Sequence, residues 1–195
     1  MKPDNSIKAY ILDATYGHSE SVVEWETASA KFRYGLEREY GLPFEYIDIG
    51  TGASQPAFVT TVIEYAPIAA IALFFAGKKI EENYEAWARI FAKIQRFLKP
   101  GTRFDRDGSA AIAIAALEQK IGVEAKSFRL VGYTTRSMLV EPFDAIAAND
   151  ERVEVIESPL DRMRDATIHV FEFDLGGERV KVFVNGSEVR MLRHS

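Results

Sequence analysis

The apolar residues of this chain fall into blocks whose spacing changes along its length. The largest block, Ala57 to Gly77, carries Glu64 as its single charged residue. A membrane-spanning helix needs roughly 20 predominantly apolar residues, so the block is long enough on length alone. Two residues oppose that reading. An unpaired Glu64 carboxylate would be expensive in lipid. Pro67 removes a backbone donor and pushes Ala66 away from helical geometry. The piece left, Ile68 to Gly77, is too short to span. The pattern therefore predicts helix buried in protein from 57 onward, broken near Pro67 and near Gly77, with a single-span membrane tether over 57–77 as the alternative.

The next block has a helical period. Ile80, Tyr84, Trp87, Phe91, Ile94 and Leu98 recur in steps of four and three, and Ile90 and Phe97 widen the stripe. Glu81, Glu82, Glu85, Arg89, Lys93 and Arg96 occupy the opposite face, with acids early and bases late, as the helix dipole favours. Glu85 and Arg89 are four apart with the acid first. Lys99, Pro100 and Gly101 end the helix. Such a stripe packs either on its own domain or on a second copy of the chain.

Before these blocks, Ile7 to Ala14 reads as a buried strand. Residues Tyr16 to Ser19 form a turn, and Ser19 or Ser21 caps a helix whose apolar positions are Val22, Trp25, Phe32, Leu36 and Tyr40. Gly41 and Pro43 stop it, and Phe44 to Ile49 alternates as a second strand. A strand–helix–strand unit defaults to a right-handed crossover between parallel strands, with antiparallel pairing left open. Gly50 to Pro56 is a loop in which Ser54 would cap the helix to follow.

Pro100 to Gly108 reads as a boundary. Asp107 or Ser109 caps a helix from Ala110 to Lys120, closed by Gly122. Ser127 to Thr134 is a strand, Phe143 to Ala148 a helical turn and Val153 to Ile156 a short strand. Ala166–Phe173, Arg179–Val184 and Glu188–Leu192 form a three-strand meander turned at Gly176-Gly177 and at Asn185-Gly186. The fold class is thus α+β: a mixed sheet with an N-terminal β-α-β unit, a central helical hairpin and the meander. It forms two lobes, 1–100 and 101–195, or one continuous domain.

Composition narrows the function classes. With 195 residues, 47% hydrophobic and 27% charged, the chain is globular. Its net charge of −5 gives no electrostatic reason to expect nucleic acid. The absence of cysteine removes disulfides, thiol nucleophiles and thiolate metal sites. The first ten residues lack the apolar core of a signal peptide, and a cytoplasmic location is the expectation.

Candidate chemistry is sparse. His18 follows the first strand, where α/β folds place their sites, with Asp13 near enough in sequence to orient an imidazole. Gly50, Gly52 and Ser54 lie between a strand and an expected helix, where backbone N–H groups receive anions. They lack the third glycine of a dinucleotide fingerprint and the lysine of a P-loop. Glu64 is the acid inside the apolar run, and burial there would require a partner or a raised pKa. His169 fits an alternating strand position, and three scattered histidines make no zinc site. Asp105-Arg106-Asp107-Gly108 begins like a calcium loop, but Ala116 stands where the closing glutamate belongs. No cofactor or metal is expected. The function expected is a non-catalytic interaction or scaffold protein that self-associates through Ile80, Tyr84, Trp87, Phe91, Ile94 and Leu98 or an open edge of the meander. The alternatives are an anion- or nucleotide-binding enzyme using loops 13–19 and 50–54, and the membrane-tethered domain.

Overall fold

A computed structural model describes residues 6–49, 55–122, 127–137 and 167–194. The chain adopts an α+β fold with two four-stranded antiparallel sheets. The first sheet contains β1 (Ile7–Leu12), β2 (Glu45–Asp48), β3 (Pro56–Ile63) and β4 (Thr102–Phe104) in the order β2-β3-β1-β4. The β-α-β unit is present in split form. β1 and β2 run in the same direction, but β3 lies between them and is antiparallel to both. Neighbouring strands are therefore antiparallel throughout, where the sequence pointed to a mixed sheet.

The apolar run of 57–77 is the main correction. Its first part is strand β3, and its second is the eight-residue helix α2 (Ile68–Phe75). β3 lies between two neighbours and is buried over much of both faces, so its period-two alternation disappears and it reads as an unbroken apolar block. Pro56 opens this strand rather than a helix. Among the described residues, no helix is long and apolar enough to cross a membrane. The proposed cap Ser54 lies outside the described residues, as do the segments 143–148 and 153–156.

Helix α1 (Val22–Tyr40) starts at Ser21, whose hydroxyl accepts the Glu24 N–H, and ends at Gly41 in the left-handed region. It lies over the face of the first sheet that carries Tyr46 and Phe58, touching it through Trp25 and Phe32. Its C-terminal end is anchored by Tyr40 stacked on Phe97 at 4.4 Å. Val22, expected on the core stripe, is instead exposed.

The 80–98 segment forms a 3₁₀ turn (Ile80–Asn83), helix α3 (Tyr84–Ile94) and a second 3₁₀ turn (Gln95–Phe97). Its stripe is taken up by the chain's own core. Ile80, Trp87 and Ile94 are 2%, 1% and 0% exposed, and Tyr84, Phe91 and Leu98 are half-buried.

Pro100–Gly108 holds β4, paired with β1, rather than a linker. Helix α4 (Arg106–Ile121) begins earlier than expected, at Asp105, whose Oδ1 accepts the Gly108 N–H at 2.8 Å. This alanine-rich helix touches both sheets, and Gly108 to Ile114 and Leu117 are buried along it. Small side chains let strands approach it. A Cβ on Gly108 would stand 2.9 Å from that of Phe104.

The second sheet is β5 (Arg129–Ser137), β6 (Thr167–Leu175), β7 (Glu178–Asn185) and β8 (Glu188–His194), each paired antiparallel with the next. β5 thus adds a fourth strand to the expected meander. The last turn is shifted by one residue. Asn185 pairs with Glu188, so the two-residue loop is Gly186-Ser187, and Gly186 takes φ 60°. A positive φ at the first loop position alone is the type II′ pattern. One apolar core joins Ile7, Ile11 and Phe58 of the first sheet, Phe74, Trp87 and Leu117 of the helices, and Phe171, Phe173 and Val182 of the second.

Candidate functional site

Strand β1 delivers Asp13 to its C-terminal end, where the side chain turns inward. One carboxylate oxygen accepts from the Thr15 N–H at 2.9 Å and from its hydroxyl at 2.6 Å. The other accepts from the Trp25 indole N–H at 3.1 Å. Burial works to raise the Asp13 pKa. Hydrogen bonds from Ser29, Thr15 and Trp25 outweigh it and hold the group below the usual 3.8. Asp13 therefore fastens the start of α1 onto β1, and its hydrogen-bonding capacity is engaged by these neighbours. His18 is exposed in the turn that follows, its backbone N–H bonded to the Thr15 carbonyl. The pair expected from sequence is not formed, because Asp13 faces Trp25 rather than the imidazole.

Glu64 is exposed in the turn between β3 and α2, so no buried carboxylate arises there. Gly50, Gly52 and Ser54 lie outside the described residues. The flanks of their loop are described. Ile49 N–H bonds the Gln55 carbonyl, Gln55 N–H bonds the Asp48 carboxylate, and Asp13 N–H bonds the Pro56 carbonyl. The ends of β1 and β2 consequently share one edge of the sheet, as the same direction of the two strands requires.

Around Asp13 the fold gathers aromatic side chains that lie far apart along the chain. Tyr16 meets Trp25 edge-on at 5.5 Å, Trp25 meets Tyr46 at 6.5 Å, and Tyr46 meets Phe58 at 6.2 Å. Phe58 is buried, whereas Tyr16 and Tyr46 are 44% and 51% exposed. One turn along α1, Val22 and Val23 are 68% and 72% exposed. Asp48, on the same side of β2 as Tyr46, joins burial in raising the Tyr46 pKa, with smaller contributions from Asp13 and Tyr16. The start of α1 and the edge strand β2 thus form an open, partly aromatic face with negative charge around it.

A second cluster, equally hidden from the sequence, lies where the two sheets meet. His169 of β6 is 7% exposed, and its Nδ1 is 2.9 Å from the Tyr133 hydroxyl of β5. Its ring also hydrogen-bonds the Phe104 backbone of β4. A neutral ring can accept the Tyr133 O–H at Nδ1. Burial, with the Arg106 charge nearby, lowers the His169 pKa to about 4, against the Phe104 hydrogen bond. Burial likewise pushes the Tyr133 phenol up.

Arg106 lies 4.2 Å over the Phe75 ring, which meets Tyr133 edge-on, and pairs with Asp107 at 2.8 Å. Asp105 accepts the Lys8 N–H at 2.7 Å besides capping α4, and burial pushes its carboxyl up to about 7 against those two bonds. The segment that begins like a calcium loop is therefore a junction between β1, β4 and α4. No group of acids and histidines suited to a metal occurs among the described residues.

The His169 ring is buried, and its Nδ1 is engaged by Tyr133. Its bond is structural, and Tyr133→Phe is expected to lower stability by about 1–2 kcal/mol by leaving a buried acceptor unmet. Urea unfolding at pH 7 measures this, and an unchanged midpoint would refute the assignment. No signal in the sequence marks His169, since a buried histidine in a strand occupies the same alternating position as any core residue. No family model, no curated protein and no solved structure matches this chain.

Proposed function

We propose that this chain is a non-catalytic interaction protein that engages its partner through the face built from the start of α1 and strand β2. The observation that carries the reading is the exposed surface of Tyr16 and Tyr46, whose rings both meet Trp25, with the exposed Val22 and Val23 at the start of the same helix. Scattered exposed apolar residues need no explanation, but contiguous ones favour an interface. Tyrosine and tryptophan are enriched at interfaces because a large ring contributes contact area at little entropic cost. Among the described strands β2 is an edge strand, the position at which a further strand can add. The non-catalytic part is supported by the candidate acid and the buried histidine, both of which are held by structural bonds. Self-association through Ile80 to Leu98 has less support, because the core already covers that stripe.

The test is site-specific photo-crosslinking in the source cells. A benzophenone amino acid at position 46 is expected to give a discrete adduct that Val22→Asp combined with Val23→Asp abolishes. The same group at the exposed position 120 is expected to give none. Absence of any adduct at position 46 would overturn the reading. The enzyme alternative draws support from one feature, the shared edge of loops 13–19 and 50–54. A thermal-shift screen of nucleotides decides it, since a ligand selective for the folded state must raise its stability.

A further inference from the structure

We infer that the partner presented to this face is cationic: a peptide segment whose arginine or lysine side chains lie over the exposed rings of Tyr16 and Tyr46. The inference rests on the interaction reading above and adds the chemistry of the partner.

Charge is distributed very unevenly along the chain. Residues 9–30 and 39–77 contain no lysine and no arginine, yet they hold Asp13, Glu20, Glu24, Glu26, Glu39, Glu45, Asp48 and Glu64. The whole chain is only −5, so the remainder is net basic. These two stretches build β1 from Ala9 onward, the first half of α1, β2, β3 and α2. Some of the acids are occupied: Asp13 is turned inward, and Glu39 pairs with Lys99. Asp48 accepts the Gln55 N–H through Oδ1 yet stays exposed beside Tyr46, and the exposed Glu20 and Glu24 flank the Ser21 cap. Within the sheet the bases are Lys8 at the start of β1, the end away from Asp13, and Arg103 of β4, at the edge opposite β2.

The aromatic rings point to the same chemistry. Four rings elsewhere carry one of the chain's own cations: Lys99 over Tyr40, Arg96 over Phe97, Arg106 over Phe75 and Arg136 over Phe183. Among the described residues, Tyr16 and Tyr46 receive no such cover. A cation over a tyrosine face is attracted by the ring quadrupole, and surrounding carboxylates strengthen the attraction and steer the encounter. An anionic ligand would meet the same carboxylates as repulsion. Guanidinium fits best, because it stacks on a ring while its N–H fork reaches a carboxylate such as Asp48.

The test titrates the purified full chain with three labelled synthetic peptides, repeats of Arg-Gly-Ser, Glu-Gly-Ser and Leu-Gly-Ser, read by amide chemical shifts. The arginine peptide is expected to shift resonances of Tyr16, Trp25 and Tyr46. It should weaken about tenfold between about 0.05 M and about 0.5 M salt, as exposed charge pairs are screened. Tyr46→Ala and Asp48→Asn should each weaken it at least about fivefold, while Glu188→Gln on β8 leaves it unchanged. An unchanged chemical-shift pattern away from the face shows that each variant is folded. If the arginine peptide binds no better than the other two, or ignores Tyr46→Ala, the cationic partner is wrong. If the leucine peptide alone shifts the same resonances, the face binds and only its chemistry was misread. If light scattering shows a dimer that Tyr46→Ala dissolves, the occupant is a second copy, which also overturns the inference. Should no peptide bind and the position-46 crosslink also be empty, both this inference and the interaction reading fall.

Discussion

Replacing Gly186 by alanine is expected to lower stability by about 2–5 kcal/mol, combining about 1–2 for a left-handed non-glycine residue with about 1–3 for overpacking. For a chain of this size that corresponds to a fall of about 10 °C in Tm. The reason is where the last hairpin points. Its loop, Gly186-Ser187, packs against the start of β4, and Gly186 is buried. A methyl group there would run into the Thr102 carbonyl oxygen and come within 2.7 Å of Arg103 Nη1. Thr102 is 1% exposed and paired with Ile11 of β1, so it has little room to retreat. Gly176→Ala is the matched control. It too has a positive φ, 71°, but nothing lies within 4 Å of the added carbon. Its loss should stay near the conformational cost alone, about 1–2 kcal/mol. Equal losses for the two variants in urea unfolding would show that the Gly186 tip is not docked as described.

The second large effect is on pH dependence, and two groups produce it in opposite directions. His169 has its pKa lowered from 6.5 to about 4. Above pH 6.5 both states are neutral and nothing is lost. As pH falls below 6.5 the unfolded chain takes up a proton that the folded chain refuses, so stability drops until about pH 4. At 1.36 kcal/mol per pKa unit the full loss is about 3 kcal/mol. Asp105 has its pKa raised from 3.8 to about 7. Below 3.8 both states are protonated. As pH rises from there the unfolded chain releases its proton first, so stability falls until about pH 7.

Between about pH 4 and 6.5 the two slopes cancel, and the chain's stability should look nearly flat in that window from these groups. Substitution separates them. His169→Gln should leave a curve that falls as pH rises from 4 to 7. Asp105→Asn should leave one that falls as pH drops from 6.5 to 4. Urea midpoints across this range read both limbs. Parallel curves for the chain and its two variants would show that neither group titrates as its surroundings require.

Local chemistry decided what could be read in advance. The Ser21 cap, the Gly41 stop and the Gly176-Gly177 turn each depend on a few adjacent residues and are present, and the last turn differs from its expected place by one residue. What depends on distant neighbours was lost. β3 looks helical or membrane-like because its neighbours on both sides bury it. β4 has three residues, too few to show a period, and hid inside an apparent linker. Asp105 rather than Asp107 caps α4 because the first of these also reaches back to Lys8, a contact across 97 residues.

The candidate site follows the same rule. Asp13 was visible as an acid at a strand end, but its partner Trp25 was visible only as a core position. The aromatic face needs β1, α1 and β2 brought together. His169 needs β4, β5 and β6, which no stretch of sequence contains.

The two sheets also impose different histories on the chain as it emerges from a ribosome. β6, β7 and β8 are joined by two-residue loops, so they can close as quickly as neighbouring residues appear. β1 is in the opposite position: its two flanking strands begin at Pro56 and Thr102. For the time needed to add some ninety residues, at roughly 5–20 per second, IKAYIL remains an unclosed apolar ribbon. A nascent chain halted before Thr102 should therefore depend on chaperones far more than one halted just before Arg129.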